Sequence, residues 1–361
     1  MIRIFQNSGL SRGFRIHRGR VRYRDFADGV AQFLDDRFGA LHFLKPVLDG
    51  APEAFFTNGD DEILQRHWAR EQGMQGRPTL ETILLAQIEH HRTEVFYNLD
   101  PVGYPSAFVR KLPSCVKKTF CWRAAPSGNA DLTAYGAVLG NFPSILEAWR
   151  RKGCRAELFF PALDPLMDEY GHGERPIDVL FVGGYSRHHS TRAKTLEQVA
   201  SLADSRRLVY CLEVSRLTVL AESPIGRWLP LQQHRRPDVI AKIAKPPVFG
   251  RSLYELIGSS KIVLNGAIDM AGADRGNMRC FEAMGCGALL LSDAGGYPEG
   301  MEAGETMSIY KTGGDCLGQI ERSLSDWSDA KQIADRGRSK IRSLYSKERQ
   351  WALFEKLLER F

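Results

Sequence analysis

The chain has 361 residues, of which 43% are hydrophobic, 25% charged and 10% aromatic; it is long for one domain and comfortable for two, with the composition of an ordinary globular protein. No apolar run approaches the roughly 20 residues that span a bilayer, and the start Met1-Ile2-Arg3-Ile4-Phe5 has no signal-peptide core, so a cytoplasmic protein is expected. Net charge is +6, and the seven irregularly spaced cysteines include no Cys-x-x-Cys pair, which argues for reduced thiols and against a structural zinc site.

The first expected strand, Ile2–Gln6, ends at the turn Asn7-Ser8-Gly9. Arg12, Arg15, Arg18, Arg20, Arg22 and Arg24 follow within thirteen residues. The last four alternate, so an extended segment would present them on one side. That pattern fits either a solvated basic edge or attraction to an anionic acceptor or to lipid phosphates. No nucleic-acid motif accompanies it, so no nucleic-acid partner is expected and peripheral contact at the inner membrane face is the most that membranes would contribute. Leu41–Leu44 reads as a strand, Asp60-Asp61-Glu62 as a helix start with acidic first-turn residues, and Leu80–His91 as a helix. Strands are expected at Glu94–Asn98, ending at Asp100-Pro101, and at Lys117–Trp122, Ala137–Leu139 and Ala156–Phe160, with a helix at Ser144–Lys152.

A stretch rich in proline, glycine and acidic residues then reads as a linker. The expected organisation is a first domain over 1–162, the linker 163–176, a second domain over 177–345, and a final helix over 346–361. The second half opens with the strand-like run Asp178–Gly184, followed by Gly183-Gly184-Tyr185-Ser186-Arg187-His188-His189 and a helix from Arg192. Glycines there let the backbone approach a ligand, the helix start favours anions, and Arg187 and Arg192 can add charge to a diphosphate. The spacing is neither the dinucleotide fingerprint nor a P-loop. Further strands are expected at Arg207–Leu212, Lys261–Leu264, Ala288–Leu291 and Met307–Tyr310, alternating with helices; that order predicts an α/β fold with parallel sheets. Pro246-Pro247-Val248-Phe249-Gly250 forms a stiff loop before the helix Ser252–Gly258.

The run from Asp274 to Asp293 reads as a helix, a Gly-Cys-Gly turn and a strand buried on both faces. Arg275, Arg279 and Glu282 share one face at helical spacing; Met278, Phe281 and Met284 cover the other. The face is either a ligand-binding edge of a parallel sheet or a surface salt bridge from Arg279 to Glu282.

The segment Asn277-x-Arg279-x-Phe281-Glu282-Ala283-x-x-Cys286-Gly287-Ala288-Leu289-Leu290 resembles the nucleotide-binding signature of group 1 glycosyltransferases, and is closest to the CgeB-type glycosyltransferase-like domains. The likeness extends from about Asp178 to Tyr310. It implies a GT-B-like fold: two Rossmann-like parallel-sheet domains facing across a cleft, with the C-terminal helix crossing back to the first. It implies a donor that is a nucleotide-diphosphate sugar. Glu282 would accept from the ribose hydroxyls, and Arg279, Asn277, Gly183, Gly184, Tyr185, Arg192, Val248, Phe249 and Gly250 would line the rest of the donor site. Arg187 would stabilise the leaving diphosphate. Asp274 stands where the signature carries a first glutamate and would touch the transferred sugar. No metal or other cofactor is expected, and transfer with retention is the expected outcome; an inverting route would need a base, for which Asp100 is the candidate. The acceptor is left open among glycans, lipid-linked molecules and small molecules. A nucleotide-sugar 2-epimerase of the same fold and a non-catalytic nucleotide-sugar binder remain as alternatives.

Overall fold

The computed structural model describes residues 2–19, 21–125, 128–187, 189–266 and 272–361, apart from the side chain of Arg227; Arg20 and His188 therefore lie outside the described residues. The chain divides into two compact units, 1–162 with 345–361, and 163–344.

The first unit is built on a six-stranded, fully parallel sheet of order β2-β1-β3-β4-β5-β6. Its strands are β1 (Ile4–Ser8), β2 (Ala54–Asn58), β3 (Val95–Asn98), β4 (Lys118–Trp122), β5 (Ala137–Gly140) and β6 (Ala156–Leu158). β1, β3 and β5 are buried along their whole length, as strands covered by helices on both faces must be. The strand expected at Leu41–Leu44 is not there. Ala40–His42 is a 3-10 helix, followed by a helix at Lys45–Leu48, and the strand is instead β2. The basic segment begins in a helix, Arg12–Arg18, capped by Ser11, and Arg22 and Arg24 lie beyond it in non-helical chain. Arg15 pairs with Asp60, Arg18 with Asp61 at 2.7 Å and Arg24 with Asp28 at 2.9 Å, so much of its charge is compensated within the unit. Asp61 is the N-cap of the helix Glu62–Glu71.

The helix Lys347–Arg360 belongs to this first unit. Phe354 is fully buried, its ring 5.3 Å from that of Tyr97 and 5.6 Å from that of Phe120. The Lys347 ammonium is buried and donates to the carbonyls of Ala40 at 2.6 Å and Phe43 at 2.7 Å, satisfying the end of the 3-10 helix. Burial, with Lys347 nearby, pushes the pKa of His42 down to about 3 and keeps its ring neutral.

The second unit holds another six-stranded parallel sheet, of order β12-β11-β10-β7-β8-β9. The strands are β7 (Ile177–Gly184), β8 (Leu208–Glu213), β9 (Ala244–Lys245), β10 (Ser260–Leu264), β11 (Leu289–Asp293) and β12 (Ser308–Tyr310). Helices Ser190–Ala200, Gly313–Ser325 and Trp327–Tyr345 contribute to a core that includes Val179, Leu196, Ile262, Leu291, Ile320 and Ala334. Residues 163–176, read from sequence as a linker, group with this unit and contain the 3-10 helix Pro165–Tyr170. Both units are α/β, each built on a Rossmann-like parallel sheet.

Candidate active site

In each sheet the chain starts in the interior, builds to one side, then returns to build on the other. Open α/β sheets bind ligands outside the carboxyl ends of the strands flanking that reversal. In the second unit these strands are β7 and β10. One loop leaves β7 at Tyr185, and another leaves β10 at Asn265.

After β7, a Cβ built on Gly184 would meet no atom of the described residues within 4 Å beyond its chain neighbours. Arg192, in the first turn of the helix Ser190–Ala200, donates to the carbonyl of Gly184 at 2.8 Å. Tyr185 is anchored to Glu197 of the same helix; burial and that carboxylate push its pKa up to about 12, while Arg187 beside it works the other way. Arg187 itself is exposed.

The β10 side meets this loop directly, because a Cβ on Gly266 would sit 3.3 Å from Cγ of Arg192. Asn265 is buried and donates to Ser292 Oγ at 2.9 Å, accepts from Asn277 at 3.2 Å, and offers its carbonyl to the hydroxyl of Tyr310 at 2.9 Å. These bonds tie the ends of β10, β11 and β12 to the N-cap of the helix Met278–Gly285. Sequence reading misses Asn265; the available signal is an amide directly after an apolar strand at the point of reversal. Asp274 is half-buried, and its segment is pinned by reciprocal backbone bonds between 273–275 and Gly296. Gly276 follows with φ +98°, and a Cβ there would fall 2.6 Å from the ring of Pro298, so both conformation and space require glycine.

Arg275 lies outside the helix and bonds Asp293 at 2.7 Å, so it does not share a charged face with the other two residues. Arg279 and Glu282 do pair, at 2.6 Å, but the pair is not a surface one: their side chains are 18% and 9% exposed. Burial raises the Glu282 pKa, and Arg279 opposes the rise. Among the described residues, Glu282 accepts only that one hydrogen bond, on Oε2, while the buried Nε of Arg279 has no acceptor. Buried polar groups normally find partners. A carboxylate oxygen and a guanidinium N–H are thus available beside the reversal point.

Phe249 is the N-cap of the helix Gly250–Gly258; Val248 and Phe249 are half-buried and Gly250 is buried. Lys242 is engaged by Asp204 at 2.7 Å, and Lys245 is exposed. Burial pushes the Cys286 thiol up, which keeps it protonated and inert. No group of three His, Cys, Asp or Glu side chains among the described residues is placed to hold a metal ion.

Residues 186–356 match the glycosyl transferase-like family. That span takes in Arg187, Arg192, Val248–Gly250, Asp274, Asn277, Arg279 and Glu282, and leaves out Gly183–Tyr185 and the whole first sheet. Among curated proteins, none matches the chain. Solved structures do resemble it. Anabaena HepE in complex with UDP and glucose is 13% identical, with a TM-score of 0.60 and 100% of each chain covered. Sucrose-phosphate synthase from Thermosynechococcus elongatus is 13% identical, with a TM-score of 0.59, covering 100% of this chain and 99% of that one. A Rickettsia africae glycosyltransferase is 12% identical, with a TM-score of 0.54, over 99% and 98%. At such identities the likeness establishes the fold.

In the first unit the reversal lies between β1 and β3. Asn7 donates to Asn98 at 2.9 Å, Asn98 donates to Tyr135 at 2.7 Å, Tyr135 to the Tyr104 carbonyl at 2.6 Å, and Tyr104 to the Gly59 carbonyl at 2.8 Å. Asp100 stands just past the end of β3, accepting from the Gly103 amide at 3.1 Å; a Cβ on Gly103 would lie 2.2 Å from its Oδ2, so a larger residue there would displace the carboxylate. Asp60, which in sequence reads as part of a helix start, accepts from the Leu10 amide at 3.0 Å and from Arg15. Burial, with Asp100 adding to it, raises the Asp60 pKa.

Proposed function

We propose that the protein is a glycosyltransferase that takes a sugar from a nucleotide-diphosphate sugar held on the second unit, transferring it with retention and without a metal ion. The observation that carries this reading is the buried Arg279–Glu282 pair with one carboxylate oxygen and one guanidinium N–H still available. A vicinal diol offers two donors at a spacing that suits a carboxylate, so Glu282 receives the ribose hydroxyls. Val248, Phe249 and Gly250 frame the base. The diphosphate lies along Gly183, Gly184 and the start of the helix Ser190–Ala200, where Arg192 and the helix N-terminus supply positive potential. The family match supports glycosyl transfer, and the similar solved structures with UDP bound make a uridine nucleotide the first donor to try. Within glycosyltransferases, the 274–293 segment favours the CgeB-type group.

In the reaction the bond from the anomeric carbon to the diphosphate oxygen breaks, and its electron pair goes to the leaving phosphate. The acceptor oxygen bonds to the same face of the anomeric carbon, and its proton passes to the departing phosphate. Arg187 and Arg192 meet the charge that develops there, which is the largest demand on the protein. Asp274 contacts the transferred sugar. Asp100 would serve as base only if the configuration inverted. The acceptor is a glycan, a lipid-linked molecule or a small molecule.

Thermal-shift titration with UDP, GDP, dTDP, ADP and CMP tests the donor site, since a ligand at a hundredfold excess over Kd stabilises by about 2.7 kcal/mol. One nucleotide should raise the melting temperature, and its sugar should be hydrolysed or transferred. No stabilisation by any of them, or conversion of the sugar to an epimer without acceptor, would reject the proposal.

A further inference from the structure

The connection from β8 to β9 carries an exposed apolar surface that the core of the second unit does not use. Trp228 is 91% exposed, Ile225 75% and Val219 59%, and Leu217 and Leu220 are each more than two-fifths exposed. In the helix Arg216–Glu222 only Ala221 is buried. Arg216, Val219 and Leu220, at i, i+3 and i+4, share one side of it. Single exposed apolar residues are ordinary, but a run of this size over so short a stretch marks an interaction surface.

The charge of the same stretch says what covers it. Between 214 and 236 there are four arginines (Arg216, Arg227, Arg235 and Arg236) and one acidic residue, Glu222. Glu222 is clamped by Arg236, through bonds of 2.8 and 2.6 Å. Arg235 donates to the carbonyls of Ala221 and Gly226 at 2.9 and 2.7 Å, which fastens the turn without cancelling its charge. Tryptophan and aliphatic residues within a stretch that has three more arginines than acidic residues are the composition of a segment that lies in an anionic bilayer interface. A second copy of the chain is a poorer occupant, because a two-fold contact would bring the same positive surface against itself. The arginine helix of the first unit is the weaker candidate for such a role, since Arg15 and Arg18 are already paired with Asp60 and Asp61.

We propose that residues 214–236 dock the protein onto membranes containing anionic lipid, with Ile225 and Trp228 entering the headgroup region and the exposed Arg216 facing lipid phosphates. Such docking does not depend on the transfer reaction.

Flotation of the full-length protein with phosphatidylcholine vesicles, with and without phosphatidylglycerol, tests it. Anionic vesicles should capture the protein and neutral ones should capture roughly tenfold less. The double substitution Ile225→Ser with Trp228→Ser should abolish capture while leaving the melting curve unchanged, as expected of exposed positions; Arg216→Ser should weaken capture and reduce its sensitivity to salt. No capture by anionic vesicles, capture that survives the double substitution, or concentration-dependent self-association through the same residues in place of capture overturns the proposal.

Discussion

The carboxyl edges of the two sheets have the same topology and opposite chemistry. At the β1–β3 reversal the polar side chains are bonded mainly to one another: Asn7, Asn98, Tyr135 and Tyr104 form a continuous buried chain, although Asn58 at the end of β2 is buried with neither side-chain polar atom bonded. At the β7–β10 reversal the anchoring network runs through Asn265, Ser292 and Asn277, and beside it Glu282 and Arg279 retain hydrogen-bonding capacity. Polarity at a strand end therefore does not distinguish a scaffold from a binding edge. The distinction lies in the charge of the groups left with spare capacity among the described residues: a neutral amide at the first edge, a carboxylate and a guanidinium at the second.

The comparison breaks most visibly if the first edge is cut. Asn98 is buried, bonded to Asn7 and Tyr135, and accepts from the Asp100 amide at 3.0 Å. Asn98→Leu strands these partners at about 1–3 kcal/mol each, so a loss of roughly 4 kcal/mol is expected. A large fall in melting temperature with unchanged nucleotide affinity would place Asn98 in the scaffold; weakened nucleotide binding would blur the contrast. Glu282→Ala should do the reverse, raising the Kd for the cognate nucleotide roughly a hundredfold through two lost charge-assisted hydrogen bonds. Isothermal titration that finds the affinity unchanged would remove Glu282 from the donor site.

The same contrast explains which parts of the molecule are legible in its amino-acid sequence. Strands β3, β4, β5, β7, β8, β10 and β11 are legible because buried parallel strands are near-continuous apolar runs. The Arg279–Glu282 spacing and the β7 loop are local patterns and are legible too. Leu41–Leu44 misleads because its apolar run is a helix end held by Lys347, about three hundred residues away in sequence. β2 is hidden because its last two residues, Thr57 and Asn58, are polar yet fully buried. The partners of Asp60 and of Asn265 are likewise set by tertiary contacts, which no local pattern encodes. The carboxylate partners of the arginine run, Asp60, Asp61 and Asp28, are also set by the fold and not by the alternation of the arginines.

A smaller effect separates binding from turnover within the second edge. Arg187 is exposed beside Tyr185, whereas Arg192 is tied to Gly184. If Arg187 meets the charge that grows on the leaving group, Arg187→Ala should lower the rate of donor hydrolysis about tenfold or more and change nucleotide affinity much less. Equal losses in both quantities would make it a ground-state contact.

The smallest effect sharpens the assignment of Glu282 through its proton. Burial raises its pKa above the ordinary carboxylate value, with Arg279 opposing. Ribose hydroxyls donate to the ionised form, so the part of nucleotide affinity that depends on Glu282 is present above the raised pKa and is lost as pH falls through it. Stability of the free protein runs the other way. The folded state holds its proton at pH values where the unfolded chain has released it, so this contribution is present below the unfolded pKa and declines as pH rises through the folded one, by about 1.4 kcal/mol per unit of difference. Affinity measured across this window should therefore increase with pH while the melting temperature of the nucleotide-free protein decreases. Glu282→Gln should flatten both slopes, and because the phosphates of the nucleotide titrate identically with either protein, the difference between the two isolates the side chain. Slopes that persist in the glutamine variant would show that another group controls them.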